Sequence, residues 1–293
     1  MSYLIIDCIL LVLQFAVVTT NGFILLMFAR VRRLHTNNAL RLLLFVTIMD
    51  FLHGLTTLPY TIYLTAFCMP PINLNPYYIM ISSTPFIVHL KIKVILTLAI
   101  ALQRTMALFS PVLYRKLSLT LYAESSLLFG ITFGCVDVLL LFALSPIVES
   151  PDCGTIGCFV SDKFLHYWGS SNMILGISVI LFSLIIVLKI RFVASSLRIG
   201  TLPSVKESDV DRFVQANQTS MGILITSLLF ITIPSAGVGL IEMIGFSIFR
   251  KIGPFYLTGL FCAGTCNLLA YVILNRDMSK LAKSFLTGNG FSS

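Results

Sequence analysis

Long runs of apolar residues, separated by short polar segments, make up most of this 293-residue chain. A helix needs about 20 residues to cross the ~30 Å hydrocarbon core of a membrane, and seven runs reach that length. They lie near 4–29, 39–65, 80–109, 121–147, 169–194, 216–248 and 254–275. The pattern predicts an all-α membrane protein in which residues 1–293 form a single domain, a bundle of seven transmembrane helices.

The segment 276–286 has a different pattern, with apolar residues at helical spacing on one face and lysines on the other. The apolar residues are Met278, Leu281, Ala282 and Phe285. This spacing predicts a short amphipathic helix that lies on the inner leaflet of the membrane. Membrane lipid is therefore an expected partner.

The composition supports lipid as the solvent. Hydrophobic residues make up 57% of the chain and charged residues only 11%, whereas about a quarter of a soluble protein is charged. The net charge of +8 does not indicate nucleic-acid binding, because the basic residues sit in short segments between apolar runs.

The distribution of basic residues predicts the orientation. One set of loops, with the adjoining helix ends, holds 15 of the 20 lysines and arginines. The opposite loops hold Lys163, Arg250 and Lys251, and the third run contains Lys91 and Lys93. Because basic residues favour the cytoplasmic side, we expect an extracellular N-terminus and a cytoplasmic C-terminus, as seven crossings also require.

Four polar residues lie at a similar depth within the predicted helices. Counting ~1.5 Å per residue places Asn21, Asp50, Lys93 and Asn267 about 12 to 18 Å from the cytoplasmic helix ends. One interpretation is static, with amides bridging helices and Asp50 neutralising Lys93. The other is a polar core that rearranges and couples an outer pocket to the inner face.

Several segments resemble motifs of rhodopsin-like G-protein-coupled receptors. They are Leu34 to Asp50, with its buried aspartate; Gln103-Arg104-Thr105, followed by Pro111 and Arg115; Pro234; and Asn267 to Tyr271. Each motif alone is weak, but their order and their places at the ends of the predicted helices make the resemblance specific. It implies that Tyr271 belongs to the polar core.

A closer resemblance is to the nematode serpentine chemoreceptors of class BC, the Srbc family. It is carried by Leu102 to Ala107 with Pro111, by Asp152 to Cys158 with Phe164, Tyr167 and Trp168, and by Ile252 to Phe255. It implies a chemosensory receptor in the plasma membrane, in the cilium of a sensory neuron, that binds a small-molecule cue and signals to a heterotrimeric G protein. The expected coupling residues are Arg104, Pro111 and Arg115.

The sequence also departs from the rhodopsin-like pattern. Gln103 replaces the acid beside Arg104, so the usual intrahelical ion pair is not expected. Leu268 replaces the proline that kinks the seventh helix. The third run has no cysteine at its outer start, so the disulfide typical of those receptors is not expected there.

Three cysteines face the predicted extracellular, oxidising side and permit one disulfide. They are Cys68, Cys153 and Cys158. We favour a bridge from Cys68 to either loop cysteine over a bridge between Cys153 and Cys158.

The candidate ligand residues lie in the outer half of the bundle. Lys91 and Asp137 have similar predicted depths, so they either pair with each other or leave Lys91 to bind an anionic cue. Helical geometry also places Tyr60, Phe86 and Phe255 around the outer cavity.

Two other classes of function compete with a receptor. A small-solute transporter or channel is the alternative, but the chain shows no internal repeat. A membrane enzyme is not expected, since the four histidines lack metal-site spacing and no nucleophile elbow or phosphate loop occurs. We expect no cofactor and no metal, and the sequence leaves a receptor dimer open.

Overall fold

The computed structural model describes residues 2–67, 74–151, 153–198, 221–244, 255–274 and 276–286. Within these ranges, seven helices are long and apolar enough to cross a membrane, and no strand occurs. The predicted fold class, an all-α bundle of seven transmembrane helices with a short C-terminal helix, is confirmed.

Seven long helices and one short C-terminal helix make up the described part of the bundle. In chain order they are α1 (Ser2–Arg30), α2 (Arg41–Ala66), α3 (Pro76–Phe109), α4 (Leu119–Leu144), α5 (Asp162–Arg198), α6 (Met221–Ile241), α7 (Phe255–Leu274) and α8 (Arg276–Leu286). Shorter helices cover Arg32–His35, Asn38–Leu40, Pro111–Lys116 and Ile156–Cys158. We call the end where α1 begins the amino end, and the end where α7 finishes the carboxyl end.

The central helix is α3, which packs against α2, α4 and α5. Its most apolar stretch is 72% buried, against 22% for the corresponding stretches of α4 and α5. A helix with neighbours on most of its sides can hold polar groups away from lipid. This position explains how α3 accommodates two lysines within a transmembrane segment.

Helix α5 begins at Asp162, well before the predicted fifth span, which starts near residue 169. Its first turns bury Phe164, Leu165 and Trp168 in the core of the amino end. The added turns are too polar on their other face to belong to an apolar run, so hydropathy alone does not include them.

Helix α6 contains a π-helical turn at Leu228–Thr232, immediately before Pro234. Proline has no N–H, so the carbonyl of Phe230, four residues earlier, loses its usual helical donor. Gly259 of α7 packs directly against that carbonyl, and a Cβ at this position would collide with it. The glycine therefore allows α7 to approach α6 closely at the proline.

Helix α8 packs part of its apolar face against the carboxyl end of the bundle. Met278 and Ala282 are buried in a core shared with α1, α2 and α7, while Lys280 and Lys283 are exposed. The amphipathic pattern thus attaches α8 to the bundle through these two residues. The side chains of Leu281 and Phe285 lie outside the described set.

Candidate functional site

Lys91 and Lys93 lie two residues apart on α3 and are 0% and 2% exposed. Because an α-helix turns by about 100° per residue, positions two apart point in nearly opposite directions. Lys93 contacts α2, whereas Lys91 contacts α4 and α5. One helical segment therefore holds two buried ammonium groups in two separate polar clusters.

The first cluster joins α2, α3, α6 and α7. Lys93 Nζ donates to both carboxylate oxygens of Asp50, and Asn267 Nδ2 donates to Asp50 Oδ2 at 2.7 Å. Thr226 Oγ1 donates to Asn267 Oδ1 at 3.5 Å. The predicted contact between Asp50 and Lys93 is present, with a hydrogen bond from Asn267 supporting the carboxylate.

The other two predicted core residues reach backbone carbonyls. Asn21 Nδ2 donates to the Gly264 carbonyl at 3.2 Å, which links α1 to α7. A Cβ at Gly264 would lie 3.3 Å from Cγ of Asp50, so the glycine brings α7 against the first cluster. Tyr271 is buried nearer the carboxyl end, and its hydroxyl donates to the Leu43 carbonyl at 3.4 Å.

The second cluster joins α3, α4 and α5 around Lys91. Lys91 Nζ donates to Ser171 Oγ at 2.7 Å and to Asn172 Oδ1 at 2.8 Å, and it lies 3.2 Å from Asp137 Oδ2. Tyr167 donates to Asp137 Oδ1 at 2.9 Å. Three oxygen atoms therefore surround an ammonium group that has three hydrogens. Of the two sequence interpretations, the structure shows the pairing of Lys91 with Asp137.

Two glycines on α4 set its distance from α3. A Cβ at Gly130 would lie 3.3 Å from Cα of Ile92, and a Cβ at Gly134 would lie 3.1 Å from Cα of Val88. Small residues four apart on a transmembrane helix allow two backbones to approach closely. Asp137 follows one turn later, so this close approach also brings its carboxylate to Lys91.

An aromatic cluster fills the amino end of the bundle. Phe86 and Tyr256 pack edge-on against Trp168, at 5.8 Å and 5.5 Å between ring centroids. Tyr60 belongs to the same core, and both Tyr60 and Phe86 are buried, at 2% and 5% exposure. The Phe255 side chain, also predicted to line this region, lies outside the described set.

The loop between α4 and α5 contains a disulfide between Cys153 and Cys158. The expectation that one of them pairs with Cys68 is therefore wrong; Cys68 itself lies outside the described residues. The helical turn at Ile156–Cys158 folds the loop back on itself, which brings the two Cα atoms within 6.4 Å. The loop also covers the aromatic cluster, because Ile156 packs on its core and its backbone is hydrogen-bonded to Tyr60.

The predicted coupling residues lie at the carboxyl end of α3 and just beyond it. Gln103 is buried, Arg104 is partly exposed, and no carboxylate in the described ranges forms a salt bridge with Arg104. Pro111 begins the helix Pro111–Lys116, on which Arg115 is exposed. These residues thus lie on the opposite side of the bundle from the aromatic cluster.

The sequence reasoning did not single out two histidines as a pair, of which His53 is buried and His89 is half-buried. His53 follows Asp50 by three residues on α2, and His89 precedes Lys93 by four residues on α3. Their ring centroids lie 5.3 Å apart, and Thr56 Oγ1 lies 3.2 Å from His89 Nε2. Because α2 and α3 are antiparallel, this pair lies about one turn from the first cluster on both helices. Comparing the predicted depths of all polar residues would have identified it.

A cavity of about 520 Å³ lies beside α2 and α3 near the amino end, apart from both ion-pair clusters. Its lining residues are Pro59, Asn75, Tyr77, Tyr78, Ile81 and Ser82. None of the predicted ligand residues lines it.

The sequence matches one family model, described as "Serpentine type 7TM GPCR chemoreceptor Srbc", over residues 1–275. The match covers all seven transmembrane helices and ends where α8 begins. No curated protein matches the chain.

Proposed function

The chain belongs to the Srbc family of serpentine seven-transmembrane chemoreceptors, and from this membership we propose that it binds a small-molecule cue and activates a heterotrimeric G protein. The cue binds in the amino half of the bundle, under the disulfide-closed loop. The G protein binds at the carboxyl end. The family is one of chemoreceptors and not of enzymes.

The observation that carries this proposal is the position of Lys91 and Lys93 on one turn of α3. A cue that disturbs the Lys91 cluster moves a helix that also holds Lys93 against Asp50. Interfaces of this kind have discrete arrangements, so a small shift at one ion pair changes the other. The first cluster is, on this proposal, the rearranging polar core, with Asn21, Asn267 and Tyr271 as its further members.

The chemistry of the carboxyl end supports G-protein docking there. On the helix Pro111–Lys116, Val112 and Leu113 are 70% and 57% exposed, and Arg115 is exposed beside them. Apolar side chains next to a positive charge suit a protein partner that presents an acidic, partly apolar surface. Arg104 lies on the same side and completes this surface when α3 shifts.

The proposed orientation follows from the distribution of basic residues, with the N-terminus outside and the C-terminus in the cytoplasm. The proposed location is the plasma membrane, in the cilium of a sensory neuron by family resemblance. Epitope tags at both ends, probed in intact and permeabilised cells, test the orientation. A tag on the C-terminus that is accessible in intact cells would contradict it.

We do not assign an anionic cue to Lys91. Its ammonium group already has Ser171, Asn172 and Asp137 as partners, so an anion would have to displace one of them. Tyr60, Phe86 and Phe255 remain the proposed apolar contacts of the cue.

The test is a cell assay that reports G-protein activation while cells expressing the full chain are screened with small volatile and soluble compounds. Arg115→Ala with Val112→Ser should abolish activation by any active compound and keep surface expression. Lys163→Ala, a change at an exposed residue of the amino end, is the matched control. Ligand-dependent current or uptake that persists without a G protein would instead favour the transporter or channel.

A further inference from the structure

Asp7, near the amino end of α1, is only 6% exposed although it is an acidic residue in a transmembrane helix. The buried positions Leu10, Gln14, Val17 and Asn21 follow it at alternating spacings of three and four. This spacing defines one face of an α-helix. Asp7 therefore lies on the face of α1 that packs into the bundle and not on the face toward lipid.

Among the described side chains, the other buried carboxylates of the transmembrane helices are each neutralised by a lysine. Asp50 has Lys93, and Asp137 has Lys91. In the ranges that the structure describes, Asp7 has neither a salt bridge nor a hydrogen bond from a side chain. A buried charge without a partner is expensive, so a cation bound beside Asp7 would stabilise it.

The surroundings of Asp7 are aromatic. Tyr60, with which the Asp7 carboxylate interacts electrostatically, is buried in the core of the amino end. Leu10, one turn along α1, packs in the same core as Tyr60, Trp168 and Tyr256. Aromatic faces attract ammonium groups, and they do so most strongly when water is excluded. A carboxylate beside such rings is suited to a small organic cation.

We propose that Asp7 is the counter-ion of a cationic cue, a small amine that binds as its ammonium ion between α1, the aromatic cluster and the α4–α5 loop. This assignment rests on the proposed receptor function and specifies the chemical class of its ligand. It also agrees with the way in which the buried charged residues of the amino half are paired. Among the buried charged groups that the structure describes in the amino half, Lys91 has its partners within the protein, whereas Asp7 has no lysine or arginine beside it.

The proposal is tested first on the ligand-free receptor. Full-length protein in lipid nanodiscs is unfolded by heat, and Asp7→Asn is compared with Asp137→Asn as the matched control. Asp7→Asn removes an unpaired charge and should raise the midpoint by about 2 to 4 °C, the shift expected for about 1 kcal/mol in a protein of this size. Asp137→Asn removes the partner of Lys91 and should lower it. An unchanged or lower midpoint for Asp7→Asn would show that Asp7 carries no unpaired charge in the folded receptor, and would overturn the proposal.

The second measurement uses three probes of matched shape: n-butylamine, n-butanol and butyrate, each at millimolar concentration. The amine should raise the unfolding midpoint of the wild-type receptor more than the alcohol or the acid does, and Asp7→Asn should remove that difference. An amine that stabilises no better than butanol, or that stabilises Asp7→Asn equally, would also overturn the proposal. Neither measurement uses a G protein. Failure of coupling in the cell assay would therefore count against the proposed function alone.

Discussion

Lys91 and Lys93 extend from nearly opposite sides of α3, and each forms a buried ion pair with a different helix. The pairs are separated by two residues, or about 3 Å of helix rise. A rotation or translation of α3 that lengthens one pair therefore also moves the other. This relationship gives the bundle a short mechanical connection between its amino half and the helices that lead to the carboxyl end.

The first prediction concerns the Lys91 cluster. Lys91→Met and Asp137→Asn should each lower the thermal unfolding midpoint, because each removes one partner of a buried ion pair. The loss expected from breaking a buried pair in this way is about 3 to 5 kcal/mol. The double variant should lose less than the sum of the two. A double-mutant cycle on purified receptor measures this coupling, and strictly additive losses would show that the two residues do not interact.

The second prediction concerns the contact between α3 and α4. Gly134→Leu should destabilise the receptor strongly, since even a Cβ would lie 3.1 Å from the Val88 backbone. Gly237→Leu is the matched control, because nothing lies within 4 Å of a Cβ built there. Expression and unfolding midpoint should fall for the first variant and stay near wild type for the second. Equal behaviour of the two would mean that α4 does not pack closely on α3.

Depth along each helix could be estimated from the sequence, and this was enough to place Asp50 beside Lys93. Both residues lie on helices that are neighbours in the bundle, and counting residues from the helix ends gives their height. The same reasoning offered Asp137 as a partner for Lys91. Ser171 and Asn172 were not identified, because the direction in which α5 faces depends on packing and not on its weakly amphipathic pattern.

The disulfide shows where sequence reasoning reaches its limit. Three cysteines near one membrane face permit several pairings, and spacing alone does not rank them. The structure favours the local pair because the turn at Ile156–Cys158 reverses the chain between Cys153 and Cys158. A turn of this kind has only Gly154 and Gly157 as signals in the sequence, and two glycines are weak evidence for one conformation.

The third prediction follows from that pairing. In folded receptor at the cell surface, Cys153 and Cys158 should resist alkylation until a reductant is added. Non-reducing peptide mapping should then place both cysteines in one linked loop peptide. Cys153→Ser should expose Cys158 to alkylation, and Cys135→Ser, which removes an unpaired cysteine of α4, is the control that should leave the loop protected. Recovery of a peptide that joins either loop cysteine to Cys68 would contradict the structure.

The last prediction concerns Asp50 and Lys93, which are 4% and 2% exposed. Asp50→Asn leaves Lys93 without its anion, and Lys93→Met leaves Asp50 with the Asn267 amide but no cation. Breaking a buried pair from one side costs about 3 to 5 kcal/mol, so each single variant should lose surface expression.

The double variant leaves neither charge unpaired, so surface expression should recover toward the wild-type level. Its signalling should remain poor if the pair is the element that rearranges during activation. The two replacement side chains form no ion pair, so they cannot change between a paired and an unpaired state. Surface labelling and G-protein activation, measured on the same cells, separate these two effects. Full recovery of signalling would show that the pair only stabilises the bundle, while losses that simply add would show that the two residues contribute independently.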